Sequence, residues 1–394
     1  MNPKLLARSP DLRKLRNEGY EIELRGSHLL VHHIPYVTVD KNIEYGTLVT
    51  PLGDLAGDVT AKPQDHVIHF IGQHPCDKEG AVLSGIQHAS GRNVLAEGVE
   101  TDHSFSNKPT DGYNDYHHKV VTYATIICSQ AQAIDSSVSC KTFVVVESND
   151  PEIAFHYLDA NSSRAEIESI STRLESLAIA IVGVGGTGSY VLDFVAKTPV
   201  RAIHLFDGDE FLSHNAFRAP GAASLEVLRT QPKKVNYLND VYSKMQRNII
   251  PHGYHLTRDM VAELATMDFV FICIDDSAAK KSIISYLVDS KTPFVDVGIG
   301  ISAIDGLLTG DVRTTTVTTK TNGHIATRIP LADVENDAHD YDQNIQIAEI
   351  NAINAAFAVV KWKKLFGVYH DLTKENHSVY NTSTNQLTND DIDT

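Results

Sequence analysis

Four short stretches carry residue types that could do phosphate chemistry, and they follow one another along the chain. The first, Ile181-Val182-Gly183-Val184-Gly185-Gly186-Thr187-Gly188-Ser189, joins an apolar run to a helix-forming one. Glycines at 183, 185, 186 and 188 let a backbone turn tightly and approach a phosphate, whose charge is favoured at a helix N-terminus. Further on, His204 to Arg218 places Asp207, Asp209 and Glu210 after an apolar strand and follows them with Asn215 and Arg218. Gln231-Pro232-Lys233-Lys234 then supplies cations at a helix start, and Cys273-Ile274-Asp275-Asp276-Ser277 puts carboxylates at the end of another apolar strand. A nicotinamide site needs one acid on the ribose side, whereas three acids with Arg218 and Lys233 suit a triphosphate, and Asp275 could hold Mg²⁺. Each feature alone has an ordinary explanation, such as a tight turn, a solvated cation or a helix cap. Their joint order points to an ATP site.

Such residues need a scaffold that gathers strand ends. From Leu177 the chain alternates apolar runs (LAIAIVG, AIHLFD, DFVFICI, PFVDVG) with helix-forming ones (SYVLDFVAK, AAKKSIISYLVDS), the pattern of βαβ units and a parallel sheet. GLLTGDVRTTTVTT and HIATRIP read as antiparallel strands, and NIQIAEINAINAAFAVVKWKKLFG as a long helix ended by Gly367. Upstream, HLLVHHI, HVIHFIG, VVTYATII and KTFVVVES read as short strands, and residues 161–176 as a bridging helix capped by Ser162 or Ser163. The expected fold class is α/β: a Rossmann-like domain with a mostly parallel sheet at 156–370, preceded by a smaller α+β domain at 1–155. A polar tail at 371–394 is expected to be loosely held.

Composition narrows the class further. The 394 residues carry a formal net charge of -16, which argues against a protein that coats nucleic acid. No run approaches the length of a bilayer span and the N-terminal stretch lacks a signal-peptide core, so a cytoplasmic protein without a membrane partner is expected. Four cysteines without a C-x-x-C pair offer no disulfide framework or four-cysteine zinc site. His66, His69, His74, Cys76 and His88 lie close in sequence, but their spacing fits no metal-ligand pattern.

The succession GVGGTG, D-G-D-x5-N-x-x-R, Q-P-K and C-I-D-D resembles the ThiF/MoeB and ubiquitin-activating superfamily over about residues 161–367. The resemblance is strongest to ThiF-type activating enzymes with an extra N-terminal domain from bacterial ubiquitin-like conjugation operons. It implies that Asp207 and Asp209 face the ribose, that Asn215, Arg218 and Lys233 contact the nucleotide, and that Asp275 binds Mg²⁺. It further implies that Arg164, or Arg173 in its place, reaches a partner subunit's ATP in a homodimer. The implied activity is adenylation of the C-terminal carboxylate of a ubiquitin-like protein ending in glycine, with a conjugating-enzyme-like partner. The N-terminal domain would then recognise the carrier or that partner.

The chain departs from the family where many relatives carry a catalytic cysteine. Residues 332–344 contain no Cys, Ser or Thr. Cys273 ends an apolar strand and reads as a core thiol. A hydroxyl of Thr314, Thr315 or Thr316 could take the acyl group if His324, His339 or Asp311 served as base, although exposed threonines on a strand are the plainer reading. Alternatives are a sulfur-carrier or small-molecule adenylyltransferase, an inactive adaptor that keeps the fold and, more distantly, a nicotinamide oxidoreductase.

Overall fold

The computed structural model describes residues 5–6, 9–53, 59–145, 147, 153–165, 167–331 and 345–392. The chain divides into two compact units, 1–146 and 147–394.

The first unit is a six-stranded antiparallel sheet in the order β1-β2-β3-β4-β6-β5. Its strands are β1 Glu21–Arg25, β2 His28–Val37, β3 Ile43–Pro51, β4 Val67–Ile71, β5 Gln87–Ala96 and β6 Val99–Ser106. Helix α1 (Pro10–Asn17) and helix α2 (Tyr116–Gln132) complete its core. VVTYATII lies inside α2 and is not a strand. Asp115 caps that helix by accepting the His118 N–H, and Tyr116, Val120, Tyr123, Ala124, Ile127 and Ala131 are buried at helical spacing. That apolar face, packed on β2, overrides the strand preference of the β-branched residues. The described residues of KTFVVVES form no continuous strand either, and Phe143, Val144 and Val145 are exposed.

The second unit is an eight-stranded sheet in the order β14-β13-β12-β11-β10-β7-β8-β9. The strands are β7 Ala178–Val182, β8 Ala202–Phe206, β9 Ile249–His252, β10 Phe269–Ile272, β11 Phe294–Ile304, β12 Leu307–Val317, β13 Glu375–Asn381 and β14 Gln386–Ile392. From β11 through β9 the pairs are parallel, and from β11 to β14 they are antiparallel. Helices α3 (Gly186–Val195), α4 (Lys234–Tyr242), α5 (Ser277–Ser290) and α6 (Ala348–Leu365) cover the sheet. Strand β7 is buried throughout. Ile179 and Ile181 join Trp362 of α6 in one core, while Ala178, Ala180 and Val182 join Ile283 and Leu287 of α5 in another. Strand alternation thus serves two helical layers. After β7 the chain crosses to β8 and β9, then returns to β10 on the other side. The C-terminal ends of β7 and β10 are therefore a topological switch point, where open α/β sheets hold ligands.

Three expectations change. Residues 371–394 contain β13 and β14, which extend the sheet by pairing with β12. His377 at 4% exposure and Asn376 at 5% anchor β13 despite its polar composition. Ile325–Arg328, expected as a strand, is a turn of helix. The described residues of 161–176 fall in two short α-helices, Ala160–Arg164 and Glu168–Ser171, and a 3-10 turn, Thr172–Leu174, rather than in one helix. Asp159, which accepts from Asn161 N and Ser162 N, caps the first. Among the described residues no helix is long and apolar enough to cross a membrane.

Two histidines couple this unit to pH. Burial, then neighbouring positive charge, holds His204 and His377 each down to about 4. The unfolded chain therefore binds more protons than the folded one between about pH 6.5 and pH 4, so their contribution is full above that window and is lost as pH falls through it. Thermal unfolding from about pH 7 to pH 4.5 should show falling stability, with a shallower fall in His204→Phe. Equal slopes in the two proteins would remove His204 as a cause.

Candidate active site

A cavity of ≈ 720 Å³ opens at the switch point. Its walls include Gly183, Gly185, Gly186, Asp207, Asp209, Arg218 and Asp275, so seven of the residues singled out from sequence converge. The glycines have separate physical tasks. Gly183 has φ +82, and a Cβ there would lie 2.7 Å from the Cys273 carbonyl oxygen of the neighbouring strand. A Cβ on Gly188 would lie 1.9 Å from the Gly183 carbonyl oxygen, so only glycine lets α3 start this close to β7. A Cβ on Gly185 would meet nothing within 4 Å, which leaves the backbone at the head of α3 open to a ligand.

Asp207 braces the site. Its two carboxylate oxygens accept from Val184 N at 2.9 Å and Asp209 N at 2.9 Å. The side chain is 6% exposed, whereas that of Asp209 is 54% exposed. Lys234 Nζ donates to Asp209 at 2.6 Å and lies 3.8 Å from Asp207. Burial works against the Asp209 charge, but the Lys234 hydrogen bond and the charges of Lys234, His255 and Lys233 hold its pKa below the ordinary value.

Lys233, the lysine singled out from sequence, does not line this cavity, whereas its neighbour Lys234 does. Lys233 donates to the Gly208 carbonyl at 2.5 Å and, with Asn215, lines a separate recess of ≈ 380 Å³. Lys234 lines both spaces and is 7% exposed. Both lysines were visible in the Q-P-K-K run. The signal that separates them is that Lys234 opens α4, directly before the buried Val235.

Two donors at this end lack partners among the described residues. Asn215 is 3% exposed; its Oδ1 accepts from Leu212 N, while its buried Nδ2 makes no hydrogen bond. The buried Nε of Arg218 makes none either. Burial depresses the Arg218 pKa, against the pull of Asp275 and Asp209. Buried donors without acceptors cost free energy that an incoming anion would recover. Asp275 is exposed at the end of β10, and among the described residues no hydrogen bond engages its carboxylate. This donor and acceptor set fits a nucleotide with Mg²⁺. Asp207, Asp209 and His255 also converge to within 4.8 Å, but the ammonium of Lys234 already supplies that cluster with a cation.

The cavity continues past these residues to Lys280, Gly298, Gly300, Asp311, Arg313 and Asn354, of which the sequence had singled out only Asp311, as a candidate base. Cys273 lines the wall as well, but burial, helped by Asp296, pushes its thiol far up. The threonine run is corrected on both readings, because Thr314, Thr315 and Thr316 are 1%, 0% and 5% exposed. Thr314 donates to Asn354, Thr315 pairs with His377, and none of the three lines this cavity. Buried hydroxyls cannot accept an acyl group from a second protein. Of their suggested bases, His324 is 7% exposed and bonded to the Thr316 carbonyl. Arg164 is exposed and lines neither space, and Arg173 donates to the Gly367 carbonyl. Residues 332–344, with His339, lie outside the described residues.

A family model described as the ThiF family matches residues 161–389, and one described as a domain of unknown function (DUF6791) matches residues 10–160. Ubiquitin-like modifier-activating enzyme 5 of Aedes aegypti is 25% identical over 160 residues, covering 36% of this chain and 39% of that protein. The tRNA threonylcarbamoyladenosine dehydratase of Escherichia coli strain K12 is 26% identical over 136 residues, covering 32% of this chain and 48% of that protein. The chain thus spans less than half the length of these curated relatives. The crystal structure of E. coli MccB with ATP aligns with a TM-score of 0.44 and 15% identity, covering 57% of this chain and 66% of that one.

The Gly188 contact gives a direct test. Gly188→Ala forces a methyl against backbone, so it should cost about 3 kcal/mol or more and lower the melting temperature by several degrees. A melting temperature within about 2 °C of the parent would show that α3 can shift to make room.

Proposed function

The chain belongs to the ThiF family, and from that premise we propose that it adenylates the C-terminal carboxylate of a ubiquitin-like protein ending in glycine. ATP and Mg²⁺ occupy the cavity at the ends of β7 and β10. The carrying observation is the convergence of Arg218, Lys234 and Asp275 on a glycine turn whose Gly185 position faces open space.

In this reading the head of α3 and Lys234 hold the phosphates, and Asp209 faces the ribose. Asp207 keeps the turn and Lys234 in place. Arg218 brings to the cavity, and Asn215 to the recess that Lys234 also lines, donors that lack acceptors among the described residues. Bound at Asp275, Mg²⁺ would neutralise phosphate charge. The carboxylate oxygen of the carrier attacks the α-phosphorus, a new P–O bond forms, and the bond to the β-phosphate oxygen breaks to release pyrophosphate. A C-terminal carboxylate is ionised at neutral pH, so no general base is required. Two anions must meet, and cations arranged in advance are what lower that barrier.

The exposed Arg164 is assigned to the partner subunit's nucleotide in a homodimer. The activated carrier passes to a conjugating-enzyme-like partner, for which the first unit is the candidate recognition module. ATP–pyrophosphate exchange dependent on carrier and Mg²⁺ tests the reading. Arg218→Ala, Lys234→Ala and Asp275→Ala should each lower it about a hundredfold or more, and chelation of Mg²⁺ should abolish it. Lys233→Ala should change it by about threefold or less. Absence of exchange with a verified cognate carrier would overturn the proposal, and a larger loss from Lys233→Ala than from Lys234→Ala would overturn the lysine assignment.

A further inference from the structure

Beyond Asp275 the cavity wall contains a buried cluster of one carboxylate and two cations, with Asp311 exposed on the same wall. Asp296 on β11 is 0% exposed and carries two cations: Lys280 of α5 at 3.0 Å and Arg313 of β12 at 2.6 Å. One carboxylate facing two cations leaves a surplus positive charge, and a buried surplus is costly unless an anion completes it. Lys280 and Arg313 come from different elements, and both line the cavity.

The local backbone is shaped around Arg313. A Cβ on Gly298 would fall 2.7 Å from Arg313 Nη2 and 3.1 Å from Nε, so the missing side chain lets the guanidinium lie against β11. Two residues along, a Cβ on Gly300 would meet nothing within 4 Å. Residues two apart on a strand share a face, so Gly298 and Gly300 leave a slim track beside Arg313. The part-buried guanidinium is held in place: Nη1 donates to Thr315 Oγ1 at 2.9 Å, and Thr315 is itself fixed by His377 at 2.9 Å. Its remaining N–H groups form a rigid fork suited to a carboxylate.

We propose that Arg313, clamped between Asp296 and Thr315 beside Lys280, receives the terminal carboxylate of the acyl substrate, whose last residues lie along the Gly298–Gly300 track. The assignment rests on the adenylation reading above and names the substrate-side residue of that site. A role confined to bracing the fold would need neither the second cation nor the open track.

The test compares a short peptide ending in Gly-Gly as the free acid with its C-terminal amide, using the full chain with Mg²⁺ and a non-hydrolysable ATP analogue. Modification of Arg313 by phenylglyoxal is mapped by mass spectrometry. The acid, at roughly 5 mM, enough to occupy most of a millimolar site, should slow modification of Arg313, and the amide should not. Equal protection by both peptides, or protection by neither, overturns the proposal. In carrier-dependent exchange Arg313→Gln should raise KM for the carrier about tenfold to a hundredfold, the range expected when a hydrogen-bonded charge partner is lost, with nucleotide affinity within about twofold. Circular dichroism and melting temperature identify a folding failure, and Arg313→Lys, which keeps the charge on Asp296, should restore folding but not the fork. Acid-specific protection without exchange would overturn the adenylation reading and leave the carboxylate site standing.

Discussion

The site depends first on Asp207. Its carboxylate accepts one backbone N–H from the glycine turn after β7 and one from the loop after β8. Those bonds fix two loops from adjacent parallel strands relative to one another, and nearby Lys234 adds the head of α4. Three elements that meet only at the sheet's C-terminal end are thus referred to one buried group. A carboxylate bound this way is a structural pin, whereas Asp209 beside it is exposed at the cavity wall. The D-G-D sequence therefore contains two acids with different work, separated by a glycine against which the His255 ring packs.

The second constraint is electrostatic. A chain with net charge -16 concentrates Arg218, Lys234, Lys280 and Arg313 around one cavity. Each of these cations is near a carboxylate, so the cavity is not simply basic. Asp209 steadies Lys234, Asp275 and Asp209 face Arg218, and Asp296 holds Lys280 and Arg313. The carboxylates keep the cations in place before a ligand arrives, which is the preorganisation that stabilises a developing negative charge.

Much of this was legible in the sequence because it lives in local chemistry. The glycine turn, the acids after β8 and the carboxylate after β10 are fixed by strand-end position, and alternating apolar runs place those strands. What escaped was set by tertiary contact. VVTYATII has the β-branched content of a strand and becomes helix because Asp115 caps it and one face packs on β2. The polar residues of 375–392 pair as strands because β12 offers a free edge. Lys233 and Lys234 are equivalent in composition, and only the start of α4 decides which points into the cavity. Lys280, Asp296 and Arg313 carry no local motif at all, since they are brought together from α5, β11 and β12.

The buried threonines and Cys273 constrain the step after activation. If the chain forms an acyl-adenylate as proposed, the acyl group must leave for some nucleophile. Cys273 is the cavity's thiol among the described residues, and burial beside Asp296 keeps it protonated. Thr187 also reaches the cavity wall, but its hydroxyl is committed to Asn351 at 3.0 Å. Thr314 and Thr315 are turned into contacts with Asn354 and His377. The 332–344 segment contains no thiol or hydroxyl of the Ser or Thr type. A reactive mixed anhydride needs little activation of its acceptor, but it does need access. A second molecule bringing its own thiol or amine meets that requirement more simply than any of these side chains, so against them direct transfer from the adenylate is the simpler route.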